Sequence, residues 1–412
     1  MIISSFKWLR RLLLTSIYLL GVLGIVGSGG GSSELNPCNN GACDNLFGGG
    51  TGGTGVEGFS DRVNTIAPAL DSSDDVYVGG WFGTYNNSVA HRIARLNNDG
   101  SLDTGFVTGD GFTSTSFTSR VNVISPAIDG SFDVYIGGSF TDYNGTPVGR
   151  IARLNLDGTL DTLFDTSTGF DNGVSFIAPA IDGSGDVYVS GAFTSYNGTA
   201  VDTGLIRLND DGSIDAGFST GSGWGQDGIA PATDGSGDVY VAKSTSPGIA
   251  RLNNDGSIDT GFDTGLSGFN DDVRAIAVAT DGSGDIYAAG FFTDYNGTGM
   301  NGLARVNSDG SLDSGFVTDA GFVGWGNFMT PAIDGSGDIY VDGNLIGDIL
   351  RLNDDGSIDV GFASGSFNAS PNSVALATDG SDDIYVGGDF TFYQSSPAAH
   401  MARLTAGGAF VR

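Results

Sequence analysis

The sequence predicts an all-β fold: a seven-bladed β-propeller of four-stranded antiparallel blades, closed by an N-terminal hairpin pairing with the last blade. Three observations lead there. The first is an internal repeat. Asp182-Gly183-Ser184-Gly185-Asp186-Val187-Tyr188-Val189 has counterparts centred on Tyr77, Tyr135, Tyr240, Tyr287, Tyr340 and Tyr385. A second motif, Arg95-Leu96-Asn97-Asn98-Asp99-Gly100-Ser101-Leu102-Asp103, recurs from Arg153, Arg207, Arg251, Arg305 and Arg351 and decays after Arg403. These arginines are 58, 54, 44, 54, 46 and 52 residues apart, so strands of constant design are joined by loops of changing length. The second observation is turn chemistry: 70 of 412 residues are Gly, and nearly every acid is Asp rather than Glu. The third is that no stretch after the N-terminal segment keeps a helical period.

In chain order, residues 1–28 read as a signal peptide or membrane anchor. Lys7, Arg10 and Arg11 precede the apolar run Leu12 to Val26, which is short for a spanning helix, and Val26-Gly27-Ser28 offers small residues for cleavage. A Gly/Ser linker follows over 29–34. The propeller is assigned to 35–412, with 35–55 as the closing segment and 56–412 as the seven repeats. Cys38 and Cys43, separated by a turn-forming Asn-Gly, suit one small disulfide in an oxidising compartment.

Each repeat reads as four strands. In the second, Val121 to Ile128 is strand a, Val134 to Phe140 is b, Arg150 to Asn155 is c, and Leu160 to Phe164 is d after an Asp-Gly turn. Tyr143-Asn144-Gly145-Thr146 is a loop signal between b and c. Strand d carries Asp-x-x-Phe in six repeats, from Asp103/Phe106 to Asp359/Phe362, and the last repeat lacks it. A further copy, Asp44-Asn45-Leu46-Phe47, stands near the N-terminus, which is the basis for expecting ring closure there.

These coupled motifs, Arg-Leu-Asn-x-Asp-Gly-Ser-Leu-Asp-x-x-Phe and Asp-Gly-x-x-x-Val-Tyr-Val-Gly-Gly-x-Phe, resemble the bacterial delta-60 repeat. That is a β-propeller family without an assigned general function. The resemblance covers Leu35 to Arg412, with Ser-Gly-Asp, as at Ser236-Gly237-Asp238, where the family usually has Lys soon after the turn. It implies the fold and an exported, often surface-associated setting.

The charge narrows the partners. With 48 acids against 17 bases the formal net charge is −31, which excludes binding of bare nucleic acid through a basic surface. The once-per-repeat arginines are too regular for a catalytic centre and are expected to pair with motif aspartates. Paired acids such as Asp182 with Asp186 and Asp234 with Asp238 could take Ca²⁺, a cation that prefers many oxygens; capping of turn N–H groups is the competing reading. The Asn-Gly-Thr triplets at Asn144, Asn197 and Asn296 match a glycosylation sequon and also suit tight turns. Ligand contact is assigned to aromatics in the irregular loops: Trp224, Trp325, Phe328 and Phe117. His91 and His400 precede strand c in the first and last repeats, and no nucleophile accompanies them.

The expected function is a non-catalytic, monomeric, exported scaffold that binds a protein or polysaccharide at the cell envelope or surface. It needs no cofactor and touches membrane only through an uncleaved N-terminus. The alternatives are a carbohydrate lyase or hydrolase, and a Ca²⁺-dependent lectin-like protein.

Overall fold

The computed structural model describes residues 58–114, 119–201, 204–221, 228–243, 248–318, 328–342, 348–363 and 365–411. The N-terminal segment, the linker, the cysteine pair and the expected closing hairpin lie outside them. Among the described residues every regular element is a β-strand.

Seven three-stranded antiparallel sheets of one design follow the seven repeats. Strand a is Val63–Pro68, Val121–Pro126, Val174–Pro179, Ile229–Pro231, Val273–Val278, Met329–Pro331 and Pro371–Leu376. Strand b is Val76–Gly80, Val134–Gly138, Val187–Gly191, Val239–Ala242, Ile286–Gly290, Ile339–Asp342 and Ile384–Gly388. Strand c is Ile93–Leu96, Ile151–Leu154, Leu205–Leu208, Ile249–Leu252, Leu303–Val306, Ile349–Leu352 and Met401–Leu404. Strand b lies between the other two and is buried along its length in all seven sheets. That explains its apolar, β-branched and aromatic run.

The expected fourth strand is reduced to one bridge per unit, as in Leu96 with Leu102 and Leu154 with Leu160. The cause is the aspartate that opens it. Asp103 N–H donates to the Arg95 carbonyl at 2.9 Å, and Asp103 Oδ1 then accepts from Gly105 N–H at 2.7 Å. That side-chain turn lifts the chain off the sheet after one pair. Phe106 folds back on Tyr77, with ring centroids 5.4 Å apart, and Val107 N–H donates to Asp157 in the next unit.

A second difference lies between strands b and c. The loop signal in the second unit is a small hairpin, Asp142–Tyr143 with Thr146–Pro147, turned by Asn144 and Gly145 at φ of 50° and 75°. Two successive left-handed residues are what a type I′ turn requires. Asn197 and Asn296 sit in equivalent hairpins. The three sequon asparagines also use their side-chain oxygens to accept N–H groups from Gly111, Gly169 and Gly268. In five units the hairpin tyrosine packs with two phenylalanines, as in Phe112, Phe140 and Tyr143 with centroids 4.1 and 4.7 Å apart.

Strand a of each unit packs beside strand a of the next, and that of the seventh packs beside that of the first. Small residues late in strand b permit this approach. A methyl group on Gly79 would lie 2.5 Å from Val121 Cγ1, inside any real contact. Side chains then stitch neighbours: Thr65 Oγ1 accepts from Ile124 N–H, and Ser373 Oγ from Ile66 N–H. The second residue of strand a is bulged out of register in five units. At Asn64 and Asn122 this freed side chain donates to the first carbonyl of the next strand a.

Candidate functional site

One end of the sheets holds a repeated arginine cluster, built from the a–b turn. Asp71 Oδ1 accepts from Ser73 N–H, and Ser73 Oγ accepts from Asp75 N–H, so the turn closes on itself. Residues two and four of this turn are left-handed. Glycine supplies both in most units, as at Gly183 and Gly185 with φ of 80° and 86°. The folded turn presents its carboxylates to Arg95. Nε donates to Asp75 Oδ2 at 2.9 Å, and Nη2 donates to Asp71 Oδ2 and Ser73 Oγ at 2.5 and 2.9 Å. Asp103 adds a carboxylate 3.4 Å away, and the guanidinium lies 5.4 Å from the Tyr77 ring centre.

The arrangement repeats at Arg207, Arg251, Arg305, Arg351 and Arg403. Arg153 departs: its Nε donates to Asp161 and its Nη1 to Asp210 in the third unit. Phe132 occupies the left-handed turn position there, at φ of 65°. Other clusters also reach across units. Arg403 Nη1 donates to Asn98 Oδ1 at 2.8 Å, and Tyr287 O–H donates to the Gly337 carbonyl at 2.9 Å.

Electrostatics follow from this geometry. Burial pushes the carboxyls of Asp71, Asp182, Asp234, Asp281, Asp334 and Asp379 up, but hydrogen bonds from the turn serine and the arginine outweigh it and hold them below the ordinary value of 3.8. Burial wins at Asp133 and Asp186, which lie above it despite their arginines. Burial also pushes Tyr77 up to about 12, against the Arg95 charge. Asp182 and Asp186, offered for Ca²⁺, both face Arg207, and Asp234 and Asp238 both face Arg251. A guanidinium thus holds the position between each pair. The expected pairing of motif arginine with motif aspartate is present in all seven units.

The remaining candidates divide. Trp224, Trp325, Phe117, Cys38 and Cys43 lie outside the described residues. Phe328, expected to contact ligand from a loop, is a correction: it is 7% exposed and packs in the core cluster with Tyr340, Phe367 and Phe390, because it leads directly into strand a. His400 Nδ1 lies 3.1 Å from the Gly388 carbonyl, and the His91 carbonyl accepts from Phe112 N–H.

The opposite end, where strands a begin and strands b finish, holds residues that the sequence reading passed over. Trp81 follows strand b of the first unit; its backbone N–H donates to the Arg62 carbonyl, and the Arg120 guanidinium lies 5.2 Å from its ring centre. Arg62 pairs with Asp389 of the seventh unit. In the fifth unit Arg274 is the bulged residue of strand a and lies 3.9 Å over the Phe291 ring. A signal was available: Trp81 and Phe291 stand where sister units have Ser139, Ala192 and Asp389. Such an arrangement can stack a flat face and hold an anion.

The family described as a domain of unknown function (DUF5122) beta-propeller matches residues 73–106, 129–164, 183–218, 234–262, 282–316 and 380–410. Each matched segment holds a motif arginine and its c–d turn. The unmatched sixth unit carries the same cluster, with Arg351 on Asp334 and Asp338. No curated protein matches the chain. Among solved structures it is similar to one described as "Structure of Dos1 propeller", at 12% identity over 80% of this chain and 90% of that one, with a TM-score of 0.47.

Proposed function

Six of the seven repeats match the DUF5122 β-propeller family, and on that likeness we propose that the chain is an exported, non-catalytic scaffold binding a protein or glycan partner at the cell envelope. One observation carries the non-catalytic reading. The most chemically equipped residues, the buried arginines with their carboxylates, are spent in six units on the same turn contacts, and in the second unit on Asp161 and on Asp210 of its neighbour. A reaction centre needs a constellation that differs from its surroundings. Export rests on the basic and apolar N-terminal pattern with its linker.

The architecture that goes with this reading is a closed seven-bladed ring. Contacts of the seventh unit with the first support it, including Arg403 with Asn98. Phe59 N–H donates to the Ala399 carbonyl at 3.1 Å, so the chain enters beside the seventh unit. That is where an N-terminal hairpin would complete the last blade. In a propeller the outer blade edges are short, so the variable loops at its ends offer the larger surface for a partner. The test is a glycan array probed with the full chain, run beside reducing-end assays on the glycans bound. Binding without turnover supports the scaffold; release of reducing ends would sink it.

A further inference from the structure

Six described bases stand outside the repeated motif: Arg62, Arg92, Arg120, Arg150, Lys243 and Arg274. All six lie where strands a begin, b end or c begin, at the end opposite the arginine clusters. Four belong to the first two units. Arg92 and Arg150 hold φ of 71° and 70° at positions where Gly204, Gly248 and Gly302 serve in other units. Cationic side chains are thus kept in a conformation that suits glycine.

Two of these arginines touch Trp81, Arg120 over its ring and Arg62 through its backbone carbonyl, and a third, Arg92, reaches the residue before Arg120. Arg120 stacks on the indole and donates through Nε to Asn122 Oδ1 at 2.8 Å. Arg92 Nε donates to the Ser119 carbonyl at 3.0 Å, immediately before Arg120. Arg62, with a side chain 46% exposed, pairs with Asp389, while Asp61 caps the Arg62 N–H. Among the described residues no carboxylate lies within ion-pair distance of Arg120. Burial first, and the Arg62 charge second, hold its guanidinium below the ordinary arginine value. Trp81 is only partly covered. Arg62 has its anion in Asp389, whereas Arg120, against the partly open indole, has none among the described residues.

We propose that Trp81, Arg120 and Arg62 form a subsite for a uronate, a carboxylated sugar ring within a short acidic glycan. The ring's flat C–H face meets the indole, and its carboxylate meets the guanidinium edges. A uronate carries both features on one ring. The protein's overall negative charge does not forbid this. Strand b is five residues long, so the acidic turns stand about 16 Å away, roughly two Debye lengths at physiological salt. The inference rests on the binding-scaffold reading and names its ligand class.

The experiment is calorimetric titration of the full chain with trigalacturonate at about 0.15 M salt. Neutral galactotriose, triglutamate and inorganic phosphate are the comparison ligands. The variants Trp81→Ser and Arg120→Ser borrow residues that sister units carry at those places, Ser139 and Ser370. Trigalacturonate should bind about tenfold or more tightly than any comparison ligand, and each variant should weaken it about tenfold. No binding at millimolar ligand, equal binding of galactotriose, triglutamate or phosphate, or variants that bind like wild type would each overturn the proposal. Should a variant shift the unfolding midpoint, salt decides: raising it to about 0.5 M must weaken wild-type binding, and an affinity indifferent to salt overturns the proposal. An array on which only neutral glycans bind sinks the subsite and leaves the scaffold standing.

Discussion

Replacing Arg207 with methionine tests whether the repeated arginine is the element that holds each unit together. Its side chain is 4% exposed, and it serves Asp186, Asp182, Ser184 and Asn254 at once. Methionine fills much of the volume but leaves Asp182 and Asp186, 15% and 11% exposed, without a counter-charge. Stranding a buried carboxylate in this way costs about 3–5 kcal/mol, near the high end where two are stranded together. The pH dependence carries the diagnosis. In R207M both carboxyls lose the charge that opposes burial, so both folded values rise, that of Asp186 from a position already above 3.8, and protonation relieves the penalty. Urea unfolding at about pH 7.5 and again at about pH 4.5 should show the deficit shrinking at the lower pH. The triple variant R207M/D182N/D186N should recover about half of it at neutral pH. A cost under about 1 kcal/mol, or one equal at both pH values, would refute the argument.

Three further outcomes follow from the same contacts. Gly387→Ala should destabilise by about 1–3 kcal/mol in urea unfolding, because the new methyl meets Val63 of the first unit; an unchanged midpoint would mean the last and first units do not pack. Acid should unfold the wild type. Among the described residues twelve carboxyls lie below the ordinary 3.8 when folded, six of them in the arginine clusters, so the stability they add is present above that value and is lost as pH falls through their lower folded values. Asp133 and Asp186 act in the opposite sense but are outnumbered, so a melting temperature that rises between about pH 4 and 2.5 would contradict the balance. Deleting Leu35 to Phe47 should lower the melting temperature sharply, and an identical melt would remove the closing hairpin.

Much of the frame was legible because it repeats. The Arg-to-Asp pairing could be read from a cationic residue and two aspartates recurring together in every unit, and Asp-Gly dipeptides marked the turns. The fourth strand was misread for a physical reason. Leu102 and Phe106 alternate like a strand, but the Asp103 carboxylate competes for the backbone N–H of Gly105 and wins. Phe328 was misread because its loop context hid that strand a begins beside it. Trp81 escaped because it sits inside a repeated motif, where a substitution looks like drift.

By itself the sequence determined what depends on local chemistry. Seven copies of one apolar strand flanked by left-handed glycine turns leave little alternative to repeated antiparallel sheets. The aspartates of the two repeated turns supply most of the negative charge. Only the tertiary structure decided which side chains meet across units. Asn98 meets Arg403, and Trp81 meets Arg120, at separations along the chain that no motif encodes. A turn folds on its own hydrogen bonds, whereas a site between neighbours exists only once the sheets have packed and fixed which end each residue faces.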